Sequence, residues 1–288
     1  MDVNQSNKTM KKLAYTFAGL VLSLGLSAQV DNPFEDIQKT YEDAMKDYEI
    51  FDNCGSGLDG FAAAVRKGEN AILDAAVSLT IEQEYEIGKA AREHLRSEMK
   101  FIANPLLENQ LSVMLVDTII APYVKRKGVR YSLTIVEDNV PNAFATNGGF
   151  IYLTTGLLKF IKSVDELAFI IAHEITHIDM EHVSRKVKRV LVMKELSTSY
   201  NMKDYENELI KMTNKAYLPF GQVDEYEADR NAFYMAKAAG FNPLKFADFF
   251  KRMMQYEQAN PDEWEKFSRS HPYHKDRVSC INYYIQNP

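Results

Sequence analysis

His173-Glu174-Ile175-Thr176-His177 constrains this chain more than any other stretch. Imidazoles four residues apart stand next to each other only on a helix, where they leave the same face one turn apart. Two neutral imidazoles so placed can bind Zn²⁺ at about 2.0–2.1 Å. Glu174 lies about 100° round the helix from His173, close enough to act as a general base in metal-assisted hydrolysis without ligating the metal. The surrounding residues suit a helix. Ser163-Val164-Asp165-Glu166 is a capping-box pattern, in which the serine hydroxyl caps a backbone amide and Glu166 reaches back. Phe169, Ile170, Ile171, Ala172 and Ile175 would bury that helix and leave a metal at the floor of a cleft.

A catalytic zinc takes three protein ligands and keeps one position open, so a third ligand is needed. The metzincin pattern fails, because Met180 stands at its glycine position and Val183 at its histidine position. His182 would lie about 140° round a continuing helix from His177, which places it behind a ligand or in solvent. Among downstream carboxylates, Glu225-Tyr226-Glu227-Ala228-Asp229 stands out. Glu225 and Asp229 share a helix face and Glu227 points away from both. Glu225 could therefore reach the metal while Asp229 orients a ligand imidazole from behind. Glu181, Glu195 and Glu208 compete for the same role, and spacing alone leaves them open.

The rest of the chain reads as helices around one small sheet. Residues 34–51 and 58–127 are mostly helical in pattern, with a break at Asn104-Pro105. Tyr131–Val136 alternates and is rich in β-branched residues, a strand. Ala143–Thr146 and Phe150–Leu153 flank Asn147-Gly148-Gly149 as a hairpin. A short helix opens at Gly156, and helical patterns continue from Ser163 to about Tyr217. Further helices run from about Val223 to Ala239, Leu244 to Tyr256 and Lys275 to Ile285. A helical majority with one sheet predicts an α+β fold in one domain.

Charge and termini narrow the setting. With 34 basic against 40 acidic residues and a net charge of −6, nucleic acid is excluded as the main partner. Lys125-Arg126-Lys127, Arg185-Lys186 and Lys188-Arg189 read as solvated faces. Lys11 and Lys12 precede the uncharged stretch Leu13–Leu26, and Ser27 and Ala28 follow it: a secretory signal peptide over residues 1–28. That apolar stretch would cover roughly 21 Å, short of a bilayer core of about 30 Å. Residues 29–288 then form a single domain, with a helical N-terminal part over about 34–127 and a catalytic core over about 128–288. The expected product is exported, periplasmic or secreted, with membrane association left open and no transmembrane span after signal cleavage. In an oxidising compartment Cys54 and Cys280 could pair, which the sequence leaves open.

Four stretches resemble the HtpX and CAAX-prenyl-protease family of zinc metallopeptidases, in its soluble exported bacterial branch. The first runs from Asn142-Ala143-Phe144-Ala145 through Gly148-Gly149-Phe150-Ile151-Tyr152 to Thr154-Thr155-Gly156-Leu157-Leu158. The others are His173–His177 with His182, the Glu225–Asp229 segment, and His271-Pro272 followed by Arg277. Gly221-Gln222-Val223 departs from a family pattern that often carries Ser and Arg there. The resemblance implies a zincin-like domain whose small sheet lines the active-site cleft. It implies one Zn²⁺ per chain held by His173, His177 and Glu225, with Glu174 as base and Asp229 behind a ligand. It also brings His271 and Arg277 to the metal as oxyanion donors; His271 precedes a proline in a loop and could fill the open position at rest.

The function so implied is hydrolysis of peptide bonds in unfolded or misassembled envelope proteins. The alternative is a latent zinc-binding chaperone or assembly factor of the cell envelope, in contact with envelope assembly machinery. Substrates would bind in extended form, by β-addition to Phe150–Leu153. The segment from about Val183 to Tyr217 would serve as a lid, hinged at Ser197–Asn201.

Overall fold

The sheet and the motif helix grow from adjoining stretches of chain. The computed structural model of the protein describes residues 54, 73–74, 77–115, 119, 123–197, 222–260, 271 and 275–287. The signal peptide, the expected helices before residue 73 and residues 198–217 of the expected lid, with most of its hinge, lie outside these residues. The chain divides into two compact units, Met1–Ala76 and Val77–Pro288, and every element below belongs to the second. Cys54 and Cys280 are disulfide-bonded. Among the described residues no helix is long and apolar enough to cross a membrane.

Helix α1 (Ile81–Glu98) opens on a complete capping box. Thr80 Oγ1 accepts from the Gln83 amide at 3.2 Å, and Gln83 Oε1 accepts from the Thr80 amide at 2.9 Å. Strand β1 (Phe101–Ile102) and helix α2 (Pro105–Leu115) follow. Residues 77–80 are not helical and β1 is a strand, where the sequence pattern predicts helix. The two-residue strand is held by pairing with a partner some thirty residues on, which no local period records.

Strands β2 (Ser132–Val136), β3 (Ala143–Thr146) and β4 (Phe150–Thr154) complete a sheet of order β1-β2-β4-β3. β2 and β4 are parallel, and β1 and β3 flank them antiparallel. The β3–β4 hairpin turns through Asn147–Gly149 as expected, with Gly148 at φ 77° where a side chain would meet the backbone of Tyr85. The order corrects one expectation: β4, predicted to take substrate by β-addition, is an interior strand with both edges paired. Of the two hairpin strands, β3 lies at the sheet edge. One face of the sheet packs Val136, Phe144, Phe150 and Tyr152 against Leu95 of α1. Leu133, Ile135, Ile151, Leu153, Ala143 and Ala145 alternate onto the other face.

Helix α3 (Thr155–Phe160) leads to the motif helix α4 (Val164–Asp179), which packs on β3 and β4. At its start Ser163 Oγ accepts from the Glu166 amide at 3.3 Å, as the capping pattern predicts. The return half of the box takes a different course. Glu166 Oε2 accepts from the Lys162 amide at 2.8 Å and from Arg252 Nη2 at 2.5 Å, drawn by a guanidinium from a later helix. α4 stops at Met180, Glu181 turns the chain at φ 60°, and α5 (His182–Ser197) starts afresh. His182 therefore does not continue the rotation of α4.

Helices α6 (Gln222–Ala238), α7 (Pro243–Ala259) and α8 (Lys275–Gln286) close the fold. α6 lies along α4 more extensively than any other described pair of elements. Ala168 and Ala172 on α4 and Ala228, Ala232 and Ala236 on α6 are fully buried. Alanines four apart on both helices leave shallow ridges that let the helices approach closely. Phe169 stacks on Phe246 at 4.7 Å and Phe233 meets Phe246 edge-on at 6.0 Å, locking α4, α6 and α7 together. The fold is α+β, mostly helical with one small mixed sheet.

The basic cluster on α5 also departs from expectation. Arg185 and Lys188 are buried and Lys186 is half-buried, rather than lining a solvated face. Arg185 Nη2 donates to Asp224 Oδ1 at 3.0 Å. Burial pushes the Lys186 ammonium down to about 7, against the pull of Glu225 and Asp224. α5 begins beside α4 and α6, so its first two turns are core. Lys125 and Lys127 are exposed, as predicted, but Arg126 between them is half-buried and donates Nη1 to the buried Glu84 at 2.7 Å.

Candidate metal centre

The close α4–α6 contact brings one turn of each helix to a common point. His173 and His177 leave α4 on the same face, and their Nε2 atoms are 3.0 Å apart. Glu225, in the first turn of α6, faces them. Its Oε1 is 3.5 Å from His177 Nε2 and its Oε2 is 3.6 Å from His173 Nε2. His271, just before α8, adds Nδ1 at 3.3 Å from His173 Nε2 and 3.1 Å from Glu225 Oε1. All four residues are buried.

These separations suit a metal. Tetrahedral donors at about 2.0–2.1 Å from a common ion stand about 3.3 Å from one another. The observed 3.0–3.6 Å brackets that value. A single proton could bridge one pair of these donors, whereas a divalent cation satisfies all four at once.

Glu174 is buried beside the cluster, with Oε1 at 3.3 Å from His271 Nε2. Its Oε2 is buried with no hydrogen-bond partner among the described residues. A buried carboxylate oxygen left over in this way is costly in a core and available to accept a proton from something bound there.

Asp229, one turn after Glu225, stands behind His173 at ion-pair distance: Oδ1 is 2.9 Å from His173 Nδ1. Arg277 of α8 donates Nε and Nη2 to Asp229 at 2.6 and 2.7 Å, and its Nη1 is 2.8 Å from Glu225 Oε2. Burial opposes ionisation of both carboxyls. Even so, the charges of His271 and Arg277 hold Glu225 well below the usual carboxylate range, and Arg277 with His173 holds Asp229 below its own. Burial in turn drives His177 well below the usual imidazole range, so it is neutral, as a ligand must be.

His173, His177, Glu225 and His271 thus form the cluster, and Glu174, Asp229 and Arg277 lie against it; Glu208 and the side chain of Glu195 lie outside the described residues. Glu225 is the carboxylate among the histidines; Glu181 instead lies with Arg126, at 3.4 Å, and Lys188, at 3.8 Å. Behind a ligand is one of the two places that the sequence leaves open for His182, but the sequence does not join it to Glu227. His182, fully buried, has Nδ1 at 2.9 Å from His177 Nδ1 and Nε2 at 2.9 Å from Glu227 Oε2. The signal was present as two paired outliers, a histidine five after the motif and a glutamate between the two singled-out acids.

The chain matches Peptidase family M48 over residues 105–285, well over half of its length. The Beta-barrel assembly-enhancing protease of Yersinia pestis is 25% identical over 195 residues, covering 62% of this chain and 39% of that protein. A putative beta-barrel assembly-enhancing protease of Vibrio cholerae is 26% identical, covering 70% and 44%. The mitochondrial metalloendopeptidase OMA1 of Arabidopsis thaliana is 26% identical, covering 54% and 32%. The chain spans less than half the length of these relatives. All four clustered residues fall inside the matched stretch, and on that match the chain belongs to peptidase family M48, whose members depend on a metal.

Proposed function

We propose that the protein is a zinc-dependent endopeptidase, with one Zn²⁺ per chain held by His173, His177 and Glu225. The convergence of those three donors beside an unpartnered, buried Glu174 oxygen carries the reading. Bound there, zinc would supply Lewis acidity, polarising a peptide carbonyl and acidifying water. Glu174 takes the proton of the attacking water and passes it to the leaving amine. Asp229 fixes the tautomer of His173, and Arg277 holds Asp229 and Glu225 in register. Those contacts favour Arg277 as a positioning residue over an oxyanion donor. His271 is the better candidate to donate to an oxyanion, since it is on the Glu174 side.

An extended peptide would add to the sheet at β3, the hairpin strand at the sheet edge. The names of the bacterial relatives, together with the expected signal peptide, support export and substrates among unfolded or misassembled envelope proteins. A second reading is a latent zinc-binding assembly factor. It is favoured by His271, whose Nδ1 supplies a fourth donor and could close the site at rest.

Turnover of casein with and without a chelator separates the two readings. Glu174→Gln should keep the zinc and lower turnover by about 10²–10⁴; comparable turnover would remove Glu174 from the role of base. His271→Ala should raise basal cleavage if closure dominates and lower it if oxyanion donation dominates. Proteomics of cleaved N-termini, wild type against Glu174→Gln, would identify substrates.

A further inference from the structure

The two ligand imidazoles are backed by different chemistry. Behind His173 stands a carboxylate, the usual partner of a metal-binding histidine. Behind His177 stands a second imidazole, and behind that a carboxylate. The His182 side chain is fully buried and that of Glu227 is 21% exposed, so the series runs from the metal centre toward the surface.

The tautomers along this series follow from one another. His177 can bind a metal through Nε2 only with its proton on Nδ1. Two Nδ1 atoms 2.9 Å apart share one proton, so His177 donates and His182 Nδ1 accepts. The proton of His182 then sits on Nε2, which donates to Glu227 Oε2 at 2.9 Å. Asp224 is farther off, at 3.8 Å from His182 Nε2, and accepts from Arg185.

His182, Asp224 and Glu227 could also be read as a second three-donor metal group. That reading conflicts with the first site. A metal on His182 Nε2 would put the His182 proton on Nδ1, facing the Nδ1 proton of His177 across 2.9 Å.

We propose that His182 is a positioning residue: a His177–His182–Glu227 relay fixes the tautomer and orientation of His177 for metal binding, and Glu227 anchors its outer end. The relay rests on the reading of His173, His177 and Glu225 as ligands.

The test is Zn²⁺ affinity of the full chain, by competition with a chelating dye, alongside circular dichroism to report folding. His182→Ala should weaken zinc binding by about 10–100-fold, the usual loss when the partner of a ligand histidine is removed. His182→Asn keeps an acceptor oxygen near the Nδ1 position but loses the donor to Glu227, so it should recover part of that loss. Glu227→Gln should weaken binding several-fold in the wild-type background and have no further effect in His182→Asn, because the link it acts through is already gone.

If Glu227→Gln keeps its full effect in His182→Asn, the two residues act separately and the relay is overturned. A folded His182→Ala with wild-type affinity overturns it as well. Should His182→Ala fail to fold, His182→Asn and Glu227→Gln still decide the matter. Glu225→Ala distinguishes the two levels of the argument. Zinc unaffected there sinks the ligand reading, whereas zinc that needs Glu225 but neither His182 nor Glu227 sinks the relay alone.

Discussion

In the proposed metal site His173 and His177 would do the same work one helical turn apart, yet their supports differ in burial and reach. His173 leans on Asp229, itself clamped by Arg277, in a fully buried ionic group shared with Glu225. His177 leans on a second imidazole whose own partner is partly solvated. The first arrangement ties metal binding to the stability of the fold, because α6 and α8 meet there. The second ties it to the junction of α4 and α5, where Glu181 breaks the helix and lets His182 fold back. One imidazole is therefore held by core electrostatics and the other by a local hydrogen-bond series.

Asp229→Ala should break the comparison hardest. It leaves a buried guanidinium short of a partner, a loss of about 3–5 kcal/mol in stability. The matching change at the other ligand, Glu227→Ala, removes a partly solvated pair and should cost about 1 kcal/mol or less. Urea denaturation of the two variants measures both. Equal losses would mean that the two supports do not differ as their burial indicates.

Asp229→Asn separates charge from shape. Burial opposes ionisation of Asp229, but Arg277 and His173 hold its folded value below the ordinary 3.8. A carboxyl depressed in the folded state contributes stability that is present above its unfolded pKa and lost as pH falls through the folded one. Wild type should therefore lose stability as pH falls below about 4, and Asp229→Asn should flatten that limb. Its zinc affinity should drop by about 10–100-fold, since an amide is a weaker acceptor for the His173 proton. Denaturation midpoints between pH 3 and pH 7, and dye competition at pH 7, check the two halves.

How much of this was legible in the sequence follows from the range of each interaction. α4, the β3–β4 hairpin and the Glu225–Asp229 pair were readable because each is set by neighbours within a few residues. β1 was not, since its two residues are extended only by pairing with β2. The burial of Arg185 and Lys188 was hidden because a run of basic residues looks the same whether or not two other helices cover it. Behind a ligand is one of the two places left open for His182; its contact with His177 depends on the turn at Glu181, which a continuing helical period does not show. The one local signal overlooked was Thr80-Ile81-Glu82-Gln83, a capping box as clear as the one at Ser163 and better completed.

The smallest expected effect is the control for the comparison. Ser163 caps α4 about three turns before His173, through a single 3.3 Å hydrogen bond to the Glu166 amide. Replacing such a cap with alanine costs about 1 kcal/mol, and the length of this bond places Ser163→Ala toward the lower end of the usual range. If the ligands are set by what stands behind each imidazole, losing the cap lowers stability and leaves zinc affinity within about twofold of wild type. The packing of Phe169 on Phe246 and of α4 along α6 holds the middle of the helix whether or not its first turn frays. Zinc affinity falling in step with stability in Ser163→Ala would show that the metal centre reports on the helix as a whole. The contrast between Asp229 and His182 would then describe contacts rather than control.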